Sequence, residues 1–209
     1  MSQALLVDDH PLFRQALRGV LRAVKSKLII AEAETLASAR AILASNSDID
    51  LIILDMQLPD CVGFEGLLTL RSEFPRIPVI IVSANLDDGV EGRALAFGAA
   101  GYISKSSNAS DIHRALKAAL SGQLWSPLPV AAIMTSTHIE LIKSLSPAQL
   151  QILMFLQRGM SNKQIAFEMN LTEGTVKGYT TAMYRKLGVS SRTQAVILAH
   201  DLLVQPIKH

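Results

Sequence analysis

Between residues 1 and 121 the chain alternates short aliphatic runs with longer amphipathic stretches. ALLV (4–7), LIIAEA (28–33), DLIILD (50–55), PVIIVSA (78–84) and AGYIS (100–104) have strand length and β-rich composition. Between them, PLFRQALRGVLRAV (11–24) has helical spacing, with Leu12, Leu17, Val20, Leu21 and Val24 falling on one face. SARAILA (38–44), GFEGLLTLRSEF (63–74), DGVEGRALAFGA (88–99) and NASDIHRALKAALSG (108–122) read the same way. Five β-α repeats predict an α/β doubly wound, five-stranded parallel sheet covered on both faces. The strands are almost wholly apolar, as strands buried on both faces must be.

The pattern changes after residue 121. LWSPLPVAAIMTSTHIELIK carries two prolines and mixed polarity, which predicts a linker over 122–143 with one short helix near Ile139. SPAQLQILMFLQRG, SNKQIAFEMN, TEGTVKGYTTAMYRKLG and SSRTQAVILAHDLL then read as four helices with very short connections. Ser146 before Pro147 is a helix start, and Ser161, Thr172 and either Ser190 or Ser191 are further caps. Gly159 and Gly188 are stops. Four compact helices cannot complete the first sheet, so residues 144–209 form a second, small all-α domain.

Composition narrows the class. Of 209 residues, 49% are apolar and 18% charged, a globular balance able to bury a core. No aliphatic run approaches the length of a membrane span, and MSQALLVDDH lacks the basic flank of a signal peptide. The single cysteine, Cys61, excludes an internal disulfide framework, fits a reducing cytoplasm and reads as an inert thiol. Residues 1–121 hold 12 Lys/Arg against 14 Asp/Glu, whereas residues 122–209 hold 8 against 4. That asymmetry points the second part toward nucleic acid.

The stretch LIILDMQLPD runs four apolar residues straight into the carboxylate of Asp55. In a parallel α/β sheet, ligands bind beyond the carboxyl ends of the strands. The first strand ends in Asp8 and Asp9, the third in Asp55, the fourth in Ser83, and the fifth in Ser104 followed by Lys105. Clustered carboxylates require a divalent cation, and hard oxygen donors suit Mg2+. A carboxylate beside that cation can attack a phosphoryl group, while the metal and a lysine neutralise charge on the phosphoryl oxygens. His10, before Pro11, reads as a start-of-helix residue, and Asp60 as part of the turn toward the next helix.

VDDHP, LDMQLPD, VSA and GAAGYISK together resemble the receiver domain of bacterial two-component response regulators, a flavodoxin-like fold, over residues 1–121. The resemblance implies that Asp55 accepts the phosphoryl group. Asp9 would then bind Mg2+ directly, Asp8 would support it, and the backbone carbonyl of Gln57 would add a ligand. Ser83 and Lys105 would sense the phosphate, and Tyr102 would be the aromatic switch that reorients with Ser83. Ser106 stands where many receivers carry proline, so the cis bond that proline favours is not assured.

In the second part, SNKQIAFEMNLTEGTVKGYTTAMYRKLGV reads as helix, short turn, helix, with Ile165, Ala166, Met169, Val176, Met183 and Leu187 as a seam. Lys177, Thr180, Thr181, Arg185 and Lys186 are left on the other faces of the second helix, which suits a major groove. The helix N-terminus near Thr172 and Thr175 can hold a phosphate. SNKQIA, TVK and KLGV…SRTQAV resemble the LuxR/NarL-type DNA-binding domain. By that resemblance Lys177, Gly178 and Thr181 face base edges, whereas Asn162, Lys163, Thr175, Tyr184, Lys186 and Arg192 contact phosphate or framework. The last helix, Thr193 to Leu203, would form a dimer contact. Ala148 and Gln149 replace residues that are often charged in the family, removing one framework salt bridge.

Both resemblances imply a cytoplasmic NarL/FixJ-type response regulator, a transcription factor controlled by a sensor histidine kinase through Asp55, and a homodimer when phosphorylated or on DNA. Two other classes compete. A Mg2+-dependent phosphatase would need a general acid two residues after Asp55, where Gln57 sits, leaving at most slow autophosphorylation and autodephosphorylation. A helix-turn-helix regulator that is ligand-gated or constitutive would leave the receiver-like pocket unused.

Overall fold

The computed structural model describes residues 3–84, 89–123, 125 and 137–203, the side chains at 137, 138, 201 and 202 excepted. Most of the linker expected over 122–143 (residue 124 and residues 126–136) lies outside the described residues. The chain divides into two compact units, Met1–Met134 and Thr135–His209. The first contains β1 (Gln3–Val7), α1 (Pro11–Val24), β2 (Ile29–Ala33), α2 (Leu36–Ser45), β3 (Ile49–Asp55), α3 (Glu65–Glu73), β4 (Val79–Ser83), α4 (Val90–Ala96), β5 (Gly101–Ser104) and α5 (Ala109–Leu120). The second contains α6 (Thr137–Lys143), α7 (Pro147–Gln157), α8 (Asn162–Glu168), α9 (Glu173–Leu187) and α10 (Arg192–Leu203). No helix among the described residues is long and apolar enough to cross a membrane.

The sheet order is β2-β1-β3-β4-β5, and every neighbouring pair is parallel. Register matters most at the carboxyl ends. Val7 lies beside Ala33 and Leu54, Asp55 beside Val82, and Ser83 beside Ser104, so the strands finish level. One sheet face packs Ala4, Leu6, Leu51, Ile53, Ile80, Val82 and Ile103 against Leu17 and Leu21 of α1 and Ile112, Ala115, Leu116 and Ala119 of α5. On the other face Leu54 meets α3, where Gly66 approaches so closely that a Cβ would stand 3.3 Å from both Leu54 and the buried Cys61 Sγ.

Two details of the helical and strand patterning are corrected by the structure. Leu12 is 82% exposed, and Phe13 takes the inward-tending position instead. The buried row of α1 is Arg14, Leu17 and Leu21. β2 is an edge strand, so only its last residue, Ala33, is buried, and Ile29 faces solvent. A strand with one neighbour is not enclosed like the central three, which explains the polar Glu32 within it.

Asp60 also exceeds its expected part in a turn. Its two carboxylate oxygens accept hydrogen bonds from the first backbone N–H groups of α2, Leu36 N at 2.9 Å and Ala37 N at 2.9 Å. The loop after β3 thereby caps the neighbouring helix, where unpaired donors and the helix dipole favour an anion. Asp60→Ala is expected to destabilise the first unit by about 1–2 kcal/mol. Urea unfolding followed by Trp125 fluorescence measures it. Trp125, the chain's sole tryptophan, is bound to this unit: its backbone N–H donates to the Ala100 carbonyl at 3.0 Å and it bridges Gly101 beside β5.

In the second unit the caps are Ser146, Ser161 and Thr172, whose side chains accept from Gln149 N, Gln164 N and Thr175 N. Gln149 explains its own departure from a charged residue: it is buried, and its Oε1 accepts from Ser146 N at 3.0 Å to complete a capping box. Ser191, rather than Ser190, caps α10 by accepting from Gln194 N. Gly188 ends α9 with φ at +68°, a conformation that costs a residue with a Cβ. Ile152, Leu153, Ile165, Val176, Met183, Leu187, Ala195 and Ala199 are the buried center of these helices.

Candidate functional site

Strand termini build the acidic pocket. β1 delivers Asp8 and Asp9, β3 delivers Asp55, and the turn after β5 delivers Lys105. Asp8 and Asp55 are each 1% exposed. Lys105 Nζ donates to Asp55 Oδ2 at 2.7 Å and lies 2.9 Å from Asp8 Oδ2. The second contact has ion-pair distance without hydrogen-bond direction, so Asp8 Oδ2 is buried without a hydrogen bond. Gln57 N donates to Asp55 Oδ1 at 3.1 Å. Backbone pairing sets the lysine, since Lys105 N donates to the Ser83 carbonyl at 2.8 Å. The Phe13 ring lies 4.7 Å from Nζ on another side.

Burial pushes the Asp55 carboxyl above the usual carboxylate range. Lys105 and the Gln57 N–H pull the other way, and Asp8 adds repulsion. Burial also disfavours the Lys105 ammonium, but its hydrogen bond to Asp55 and its charge pairing with Asp55 and Asp8 hold it above its ordinary value. The pocket thus has three carboxylates facing one ammonium, a deficit of two positive charges. That deficit, with Asp8 Oδ2 sharing one ammonium with Asp55, fits a divalent cation, and the oxygen donors of Asp8, Asp9 and Asp55 are typical of a receiver's Mg2+ pocket.

Ser83 is fully buried at the end of β4, and Tyr102 is buried on β5 opposite Ile81. Among the described residues every peptide bond is trans, Lys105–Ser106 included. His10 was legible only as a helix-start residue, yet its Nδ1 joins the cluster 2.7 Å from Asp9 Oδ1. Arg14 escaped sequence reading altogether. It donates to the Asp8 carbonyl at 2.5 Å, Glu32 Oε2 at 3.1 Å and Glu34 Oε1 at 2.7 Å. An arginine within an apolar helical stripe is its only sequence signal.

On α9, Gly174, Lys177, Gly178, Thr181, Ala182 and Arg185 share one open concave surface at helical spacing. Lys163 and Thr175 are exposed, while Asn162 and Tyr184 are half-buried. Thr180 is corrected: it is buried, and its hydroxyl donates to the Val176 carbonyl at 2.8 Å. Lys186 and Arg192 serve the framework. Lys186 Nζ donates to the Ser144 carbonyl at 2.7 Å, and Arg192 Nη2 donates to the Leu156 carbonyl at 3.1 Å. Adding a Cβ at Gly178 meets nothing within 4 Å, so packing within the chain does not demand glycine there.

Residues 4–117 match the family model of the response regulator receiver domain, and residues 143–199 match that of bacterial regulatory proteins of the luxR family. The chain is 38% identical to the glycerol metabolism activator of Pseudomonas putida, over 97% of this chain and 96% of that protein. It is 32% identical to the DNA-binding transcriptional activator DevR/DosR of Mycobacterium tuberculosis, over 97% and 95% respectively. The nitrate/nitrite response regulator protein NarL of Escherichia coli is also 32% identical, over 94% of each. Among solved structures, the Salmonella typhimurium RcsB response regulator shares the fold, with a TM-score of 0.57 at 20% identity across 96% of this chain and 100% of that one. Two family matches on one chain, a relative 38% identical over nearly its whole length, and the α/β-then-all-α architecture agree: the chain belongs to the NarL/FixJ-type response regulators and is a phosphorylation-controlled transcription factor.

Proposed function

We propose that Asp55 is the phosphoacceptor, phosphorylated by a sensor histidine kinase, and that this modification switches DNA binding by α9 in a cytoplasmic protein. The observation carrying this reading is the convergence of Asp8, Asp9, Asp55 and Lys105 at one sheet edge, with Lys105 Nζ 2.7 Å from Asp55 Oδ2. Asp8, Asp9, Asp55 and the Gln57 carbonyl would hold Mg2+, which when bound would neutralise charge on the phosphoryl oxygens. An Asp55 carboxylate oxygen attacks phosphorus, a P–O bond forms, and the bond to the donor's leaving atom breaks with its electron pair. Asp55 then carries an acyl phosphate. Lys105 loses part of its pairing with the carboxylate and re-pairs with a phosphoryl oxygen, while Ser83 donates to another. Tyr102, on the neighbouring strand β5, follows Ser83 and transmits the change.

Residues 1–121 constitute the receiver, 122–143 the linker and 144–209 the DNA-binding domain. Lys177, Gly178 and Thr181 face base edges. Lys163, Thr175, Asn162 and Tyr184 reach phosphates, with Lys186 and Arg192 shaping the framework that presents them. The active form is a homodimer on a two-fold site. The protein's own chemistry extends only to slow phosphorylation from small donors and slow self-dephosphorylation.

Acetyl phosphate with Mg2+ is expected to label the protein and tighten its binding to a genomic fragment it selects. EDTA is expected to abolish both effects, because the carboxylates then repel the incoming phosphoryl group. Labelling that leaves DNA affinity unchanged contradicts the switch, and EDTA-resistant labelling contradicts the metal's role. Gel-shift titration beside phosphoprotein electrophoresis reads both.

A further inference from the structure

We infer that His10 supplies a nitrogen donor to the acidic pocket, so that the site favours borderline first-row cations such as Co2+ and Zn2+ over Mg2+ by more than its carboxylates alone produce. The inference rests on the reading of this pocket as a divalent-cation site and adds the residue that sets its metal preference. His10 Nδ1 lies 2.7 Å from Asp9 Oδ1, 3.3 Å from Asp8 Oδ1 and 3.9 Å from Asp55 Oδ2. Ligand atoms of Asp8, Asp9, His10 and Asp55 all fall within 4.8 Å of one another. Adjacent ligands on an octahedron with bonds of about 2.1 Å are about 3.0 Å apart. The three separations from Nδ1 bracket that edge, so the imidazole stands where a ligand of the same ion would.

The local chain holds His10 there. The His10 backbone N–H donates to Asp8 Oδ1 at 2.7 Å, and Pro11 begins α1 immediately after it. The charge balance of the cluster leaves it short of cations: Asp8 Oδ2 is buried, makes no directed hydrogen bond, and shares the single Lys105 ammonium, 2.9 Å away, with Asp55. The imidazole is 60% exposed, so it stands at the pocket mouth and meets an entering ion without displacing core side chains. The chemistry then separates the metals. Mg2+ is hard, keeps oxygen ligands and waters, and gains little from nitrogen. Imidazole suits the later first-row ions, whose affinities rise along the series toward copper.

Charge supplies the control. Co2+ and Mg2+ are both divalent, so a purely electrostatic or structural role for His10 moves both affinities together. A donor role moves their ratio. The test uses tag-free full-length protein, wild type and His10→Gln, with Mn2+ binding measured from the free-ion electron paramagnetic resonance signal. Co2+ and Mg2+ are then titrated as displacers of bound Mn2+, and Asp9→Asn serves as the site-loss control. Co2+ affinity is expected to fall about tenfold in His10→Gln, with Mg2+ affinity changing less than about twofold. Equal shifts for both ions, or no shift for either, overturn the assignment of His10 while leaving the cation site standing. Absence of Mn2+ binding by the wild type at millimolar concentration overturns the site itself, and the assignment with it.

Discussion

Replacing Asp55 by asparagine is expected to reduce phosphoryl incorporation from acetyl phosphate or phosphoramidate by at least about 100-fold, because an amide oxygen is no substitute for a carboxylate nucleophile. In the wild type the label should be lost in hydroxylamine, which cleaves an acyl phosphate. The fold should tolerate the change. Burial already disfavours the Asp55 charge, and the amide oxygen can still accept from Gln57 N or Lys105 Nζ, so unfolding free energy should move by about 1 kcal/mol or less. DNA affinity of Asp55→Asn should therefore equal that of the unphosphorylated wild type and ignore the phosphodonor. Hydroxylamine-labile label on the variant, or donor-induced DNA binding by it, would place the acceptor elsewhere.

Arg14→Met is expected to produce the largest loss of stability, about 3 kcal/mol in the first unit. Methionine replaces the stem of the side chain but leaves the Asp8 carbonyl without its 2.5 Å donor in a buried setting. Glu32 keeps Arg18 at 2.6 Å, and Glu34 is mostly solvated, so those two losses weigh less. Urea unfolding read by Trp125 fluorescence isolates the transition of this unit within the whole protein. A change below about 1 kcal/mol would mean that the Asp8 carbonyl finds water instead, and that Arg14 is a surface ion pair in all but position.

Local pattern carried the architecture a long way. Strand-length aliphatic runs, helical stripes between them and serine or threonine starts require only near neighbours, and each named element appears close to its expected place. Asp8, Asp9, Asp55, Ser83 and Lys105 were legible because a parallel sheet has one ligand-binding edge, and a residue just beyond a strand must stand there. Leu12 was misplaced because Leu12 and Phe13 are both apolar, and a 3.6-residue period does not choose between adjacent positions at a helix end. Thr180 was misplaced because a threonine that bonds back to a carbonyl four residues earlier can be buried, whereas its polarity alone argues for exposure.

Contiguous residues were enough to specify that five parallel strands precede a small helical domain, and that carboxylates end the first and third strands. They were enough because hydrophobic period and end signals are local properties of the chain. Long-range packing places β3 between β1 and β4, which sets Lys105 against Asp55 across 50 residues of chain. The same packing brought Asp60 onto α2, Glu32 onto Arg14 and Asp55 to within 3.9 Å of the His10 Nδ1. Those contacts depend on strand order and register, which long-range closure sets and no local pattern encodes.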